Sequence, residues 1–139
     1  MSVSVIYSRE STLDVSEFRR VLMESGLGAI RPVDDAVRLQ ALISGASLII
    51  TARLATERRT LVGIARCVTD FSWCCYLADL AVSASAQGLG IGRGLLDETR
   101  RQCGPGVSIN LVSVPAAAGF YEKAGMTRLS DAFCYGRER

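Results

Sequence analysis

The chain has 139 residues, 49% of them hydrophobic, and 16 Lys and Arg against 14 Asp and Glu, for a net charge of +2. That length suits one domain, residues 1–139, with enough apolar material to bury a core without staples. Charge so near balance gives no electrostatic basis for binding nucleic acid or a membrane surface, and with no run of 18 apolar residues no membrane-spanning helix is expected.

Residues 3–7 alternate and are β-branched, which predicts a strand. Asp14 precedes Glu17 by three, a capping-box pattern, and Val15, Phe18, Val21 and Leu22 follow at helical spacing until Gly26 and Gly28. Pro32 and Asp34 open a second helix with an apolar face of Val37, Leu39, Ala41, Leu42 and Ile43, closed by Gly45. Residues 47–54, 60–68 and 73–82 then read as three strands joined by short polar turns, an antiparallel meander. Glycines at 88, 90, 92 and 94 lead into a helix over 91–102, which Gly104-Pro105-Gly106 breaks. Residues 107–114 predict a buried strand. Pro115 suits the first turn of a helix over 116–124 that Gly125 ends, and a last strand is expected within 126–135. The order β-α-α-β-β-β-α-β-α-β is that of a mixed sheet with helices on its faces.

There is no histidine, which excludes Ser-His-Asp and Cys-His chemistry. The five cysteines, Cys67, Cys74, Cys75, Cys103 and Cys134, include no C-x-x-C pair, so no metal site is expected. They read as small buried hydrophobes in a reducing, cytoplasmic setting, and the N-terminus lacks the pattern of a secretory signal. Acid–base work would fall to carboxylates, tyrosine, thiol, water or backbone.

The order strand, glycine loop, helix aims backbone amides at an anion. The first amides of a helix have no internal partner, and the helix dipole favours negative charge there. A phosphorylated cofactor on the loop is one reading; a tight structural turn is the other. The dinucleotide fingerprint G-x-G-x-x-G fails, since counting from Gly88 ends at Arg93 and from Gly90 at Leu95, and no Gly-Lys-Ser/Thr occurs.

Asp79-Leu80-Ala81-Val82, then Gln87-Gly88-Leu89-Gly90-Ile91-Gly92 and Gly94-Leu95-Leu96, resembles the acetyl-CoA-binding motif of the GCN5-related N-acetyltransferases. The family's Gln/Arg-x-x-Gly-x-Gly/Ala is matched by Gln87, Gly90 and Gly92. Downstream, residues 120–126, FYEKAGM, are similar to its FYxKxGF segment, with Met126 in place of Phe. The resemblance implies a small single-domain α+β fold: a mostly antiparallel mixed sheet of six to seven strands, about four flanking helices, and a splayed pair of parallel strands.

It also implies an acetyl-CoA-dependent N-acetyltransferase, the pantetheine lying along Leu80, Ala81 and Val82. The pyrophosphate would rest on Gln87, Gly88, Leu89, Gly90, Ile91, Gly92 and Arg93. Tyr121 would protonate the leaving thiolate. Asp79 is the acidic residue on the key strand and a candidate base, beside Asp70, Glu122 or ordered water. An Asn that many members carry before the last helix is missing: that loop reads Val114-Pro115-Ala116-Ala117, and Asn110 lies too early. The acceptor, a small-molecule or peptide amine, is left open; Arg31, Arg53 and Arg66 would suit an acidic one. The alternatives are an acyl-CoA-binding regulatory domain without turnover and an interaction module with a structural glycine turn. Relatives often dimerise through a sheet edge or an exchanged last strand, which here would involve residues 132–139.

Overall fold

The computed structural model describes residues 4–138, so Val3 of the first expected strand and Arg139 of the tail lie outside the described residues. In chain order the elements are β1 (Val5–Arg9), α1 (Val15–Ser25), α2 (Ala36–Gly45), β2 (Leu48–Leu54), β3 (Leu61–Thr69), β4 (Cys74–Val82), α3 (Ile91–Cys103), β5 (Ser108–Asn110) and α4 (Ala118–Lys123). Short 3-10 turns lie at Leu27–Ile30, Ala84–Ala86 and Pro115–Ala117. One five-stranded sheet runs β1-β2-β3-β4-β5, antiparallel except for the parallel pair β4–β5.

The α+β class, the meander and the parallel pair stand as the sequence predicts. The strand count does not: the sheet has five strands among the described residues, not six to seven. Residues 126–138 contain no strand. A strand there would need an edge that offers hydrogen bonds, and β5 is only three residues long, Ser108–Asn110. Leu129, Phe133 and Tyr135 therefore face solvent.

Local chemistry explains where the helices begin and end. Asp14 caps α1, its Oδ2 accepting from the Glu17 amide at 3.1 Å. The reciprocal half of a capping box is missing, because the Glu17 carboxylate reaches Arg53 on β2 instead, at 3.0 Å. Gly26 ends α1 at φ 87°, the left-handed conformation that glycine adopts without strain.

Two apolar layers sandwich the sheet. Phe18, Val21 and Leu22 of α1 with Leu39 and Ile43 of α2 pack on Ile49, Leu61, Ile64 and Ala81. Ile91, Leu95 and Leu96 of α3 pack on the opposite face with Leu48, Ile50, Val62, Cys67, Cys75 and Leu77. Each such side chain, fully buried, stabilises by about 1.5–3 kcal/mol. Cys67, Cys75 and Cys103 are buried as expected, whereas Cys74 and Cys134 are exposed. On α2, Val37 and Ala41 face solvent, so the buried stripe is narrower than the sequence suggests.

Candidate active site

The parallel pairing of β4 with β5 covers only Cys74–Ser108, Cys75–Ile109 and Tyr76–Asn110. Beyond Tyr76, β4 runs on to Val82 with no strand partner on that side among the described residues. Where the two part, β4 carries an extra residue. Arg66 of β3 pairs with Asp79 and the next residue, Cys67, with Leu77, so Ala78 has no partner. A bulge of this kind shifts the alternation of side chains. Cys75 and Leu77 before it, and Leu80 and Val82 after it, all belong to the α3-side core, while Ala81 packs on the other face. The strand end 80–82, just past the bulge, is thus free of β5.

The loop 83–90 joins that strand end to α3. Gln87 folds it, donating from Nε2 to the Val82 carbonyl at 3.0 Å, and its own N–H leans on the Ala84 carbonyl at 3.4 Å. The amides left to face an anion thus begin at Gly88. Gly90 forms the N-cap of α3 at φ 79°, and no side chain caps the helix. The first-turn amides of Ile91, Gly92 and Arg93 have no intrahelical partner. Gly88 (φ 82°) and Gly90 have open space where a Cβ would stand, so here glycine serves backbone conformation and access. Ser83, at the strand–loop junction, is buried, and its hydroxyl has no hydrogen-bond partner among the described residues.

The other two glycines do different work. A Cβ on Gly92 would come within 3.0 Å of the Phe120 ring, and one on Gly94 would overlap the ring of Tyr7. They let α4 and β1 close on α3. Gly94→Leu is therefore expected to destabilise the fold by about 1–3 kcal/mol through overpacking, read in a denaturant melt, without touching the loop.

Phe120 seated on Gly92 brings α4 to the loop. Its neighbour Tyr121 meets it edge-on at 5.1 Å and joins the apolar cluster that holds Leu80, Val82 and Leu111. Burial raises the Tyr121 pKa above the ordinary tyrosine value.

Asp79 lies elsewhere. It is on the face opposite that cluster, its side chain fully buried, with Arg31 Nε donating to Oδ1 at 2.6 Å and Arg66 Nε to Oδ2 at 2.5 Å. With both oxygens taken by arginines, this carboxylate serves as an anchor. Asp70 accepts from the amides of Trp73, Ser72 and Cys74, which hold its pKa at about 2. Glu122 is exposed and pairs with Arg128 at 2.6 Å. Nor are the three arginines free for an acidic acceptor: Arg53 binds Glu10, Glu17 and the Arg59 carbonyl, while Arg31 and Arg66 share Asp79.

This arrangement of split parallel strands, glycine loop and uncapped helix has a counterpart. The family model described as an acetyltransferase (GNAT) domain matches residues 48–127, from β2 through α4. The chain belongs to the GNAT acetyltransferase family. As a GNAT protein it is, in general terms, an acyl-CoA-dependent N-acetyltransferase.

Solved structures agree with the GNAT fold. A GNAT-family acetyltransferase from Streptococcus pneumoniae is 21% identical, with 96% of each chain covered and a TM-score of 0.73. A probable acetyltransferase from meticillin-resistant Staphylococcus aureus is 17% identical at a TM-score of 0.75, with 98% of this chain and 99% of that one covered. An aminoglycoside acetyltransferase from an uncultured soil metagenomic sample, solved with sisomicin, is 18% identical at a TM-score of 0.68, with 96% and 97% covered. No curated protein matches the chain.

Sequence reasoning missed the partners of Asp79. The signal was present: an acidic residue inside a near-continuous apolar strand needs a cation, and Arg66 sits on the adjacent strand. A cavity of about 1230 Å³ between α3, β5 and α4 takes in Arg93, Tyr121 and Glu122 of the candidate residues. It is lined neither by strand end 80–82 nor by the loop amides before Arg93.

Proposed function

We propose that the chain moves an acetyl group from acetyl-CoA to a primary amine by direct attack of the amine on the thioester. The observation that carries this reading is an uncapped helix N-terminus, reached over a glycine loop, beside a strand end freed from its parallel neighbour. In this reading the backbone of Leu80, Ala81 and Val82 aligns the pantetheine arm. The amides from Gly88 through Gly92, with that of Arg93, hold the pyrophosphate, an anion matched to the helix dipole. Gln87 contributes by folding the loop. The Arg93 side chain, half-exposed and 3.2 Å from Asp97, adds positive charge nearby.

The attacking nitrogen forms a bond to the thioester carbon, and the oxyanion that results takes a backbone N–H near residues 80–82. Collapse breaks the C–S bond, and Tyr121 gives its proton to the departing thiolate. With Asp79, Asp70 and Glu122 all engaged, solvent water takes the proton of the amine and returns one to the Tyr121 phenolate.

A pH profile separates these groups. A primary amine with a pKa near roughly 10.4 gains about tenfold in its neutral form per pH unit between 7 and 9, so kcat/KM rises over that range. Tyr121 must stay protonated to act, and its pKa is raised, so the fall it causes lies above roughly pH 10. A limb near pH 8 that Tyr121→Phe abolishes would contradict the assignment.

Thiol release from acetyl-CoA against a panel of amines tests the reading as a whole. Aminoglycosides lead the panel, since the similar metagenomic enzyme is an aminoglycoside acetyltransferase; polyamines, amino acids and peptides complete it. Release that depends on an amine, with the acetylated product seen by mass spectrometry, supports it. Tight acetyl-CoA binding with no release across the panel favours a regulatory acyl-CoA-binding domain.

A further inference from the structure

The bulge at Ala78 is fastened from outside the sheet. Arg31 follows the 3-10 turn Leu27–Ile30, in the connection between α1 and α2, and its guanidinium spans two adjacent residues of β4. Nε donates to Asp79 Oδ1 at 2.6 Å, and Nη2 donates to the Ala78 carbonyl at 2.9 Å. Nη1 donates back to the Ile30 carbonyl at 3.1 Å, which stiffens the segment carrying the arginine. Arg66 holds the second Asp79 oxygen and reaches the Leu42 carbonyl of α2 at 3.4 Å.

Ala78 is the residue the ladder leaves over. A bulged carbonyl away from water needs a donor, and the fork of an arginine can serve it and the neighbouring carboxylate at once. A lysine ammonium, a single point on a flexible stem, cannot reproduce that two-point grip. The grip sits where β4 leaves β5, and the three residues after Asp79 are the strand end Leu80–Val82.

We propose that Arg31 is a positioning residue for acetyl transfer: it sets the bulge, and through the bulge the line of the strand end on which the thioester arm lies. The same side chain ties the α1–α2 connection to that strand end. This inference rests on the acetyl-transfer reading. It predicts an effect on the chemical step larger than on binding, because the pyrophosphate is held by amides on a separate element.

The test compares wild type, Arg31→Ala and Arg31→Lys by hydrogen exchange, CoA titration and turnover with the best amine of the panel. Arg66 still pairs with Asp79 in both variants, so both should fold. In Arg31→Ala, exchange of the amides over 77–82 should accelerate at least about tenfold while β1 and β2 keep their protection. Its kcat should fall roughly ten- to a hundredfold, with CoA affinity within about threefold of wild type. Arg31→Lys should restore neither exchange nor kcat.

Full rescue by Arg31→Lys would overturn the fork argument. Faster exchange with unchanged kcat would overturn the positioning role. If wild type binds CoA and acetylates nothing, the acetyl-transfer reading fails separately; the grip is then judged by exchange alone, and unchanged protection over 77–82 overturns it.

Discussion

Asp79→Ala is expected to destabilise the fold by about 3–5 kcal/mol, among the largest losses any single change to this chain should cause. Its side chain is fully buried, and the two guanidiniums it neutralises are themselves mostly buried, Arg31 at 23% and Arg66 at 11% exposure. Removing the carboxylate leaves two cations with reduced access to water and no counter-charge. For a domain with about 5–15 kcal/mol in hand, that is a large fraction. A thermal melt should fall by roughly 10–20 °C. Asp79→Asn should be milder, since an amide oxygen still accepts from one arginine. A variant Asp79→Ala that melts like wild type but loses turnover would contradict the anchor and restore the base.

Tyr121→Phe is expected to lower kcat by about 10²–10⁴-fold while acetyl-CoA affinity changes little. The ring is half-buried against Phe120, so removing the hydroxyl leaves the packing in place. The hydroxyl is the only group lost, and phenylalanine has no proton to give the departing thiolate. Loss of affinity in step with kcat would point to a packing role instead. Unchanged kcat would remove Tyr121 from the chemistry.

Much of this architecture was legible because its signals are local. The 3.6-residue spacing of Phe18, Val21 and Leu22 marks the buried face of α1, and Asp14 caps it as its position suggests. The meander shows in three apolar runs separated by polar turns. What was not legible depends on partners distant in sequence. Glu17 abandons its expected reach back to the helix start because Arg53 waits on β2, 36 residues away. The bulge leaves no mark on the run WCCYLADLAV, where a shift of face exchanges one apolar residue for another. Arg31 comes from 48 residues before Asp79, and nothing local joins them.

The expected last strand fails to form for the same reason. Residues 126–135 carry apolar Met126, Leu129, Phe133 and Tyr135, but a strand is a relation between two segments, and β5 pairs over three residues only. The row of four glycines is not one device. Gly88 and Gly90 shape the loop, while Gly92 and Gly94 admit Phe120 and Tyr7. A glycine row in sequence does not say whether a ligand or a neighbouring side chain takes the missing Cβ's place.

Calorimetric titration of acetyl-CoA into wild type and Gly90→Val tests the central claim most directly. Position 90 requires φ near +79°, which a β-branched residue resists, and it sits at the cap whose amides are assigned to the pyrophosphate. The expected result is micromolar binding by wild type and at least about a hundredfold weaker binding by a variant that still melts cooperatively, a difference near 2.7 kcal/mol. Equal affinity in the two proteins would contradict the assignment of the diphosphate to this loop. No binding by folded wild type would leave a GNAT fold whose cofactor cleft does not work as described.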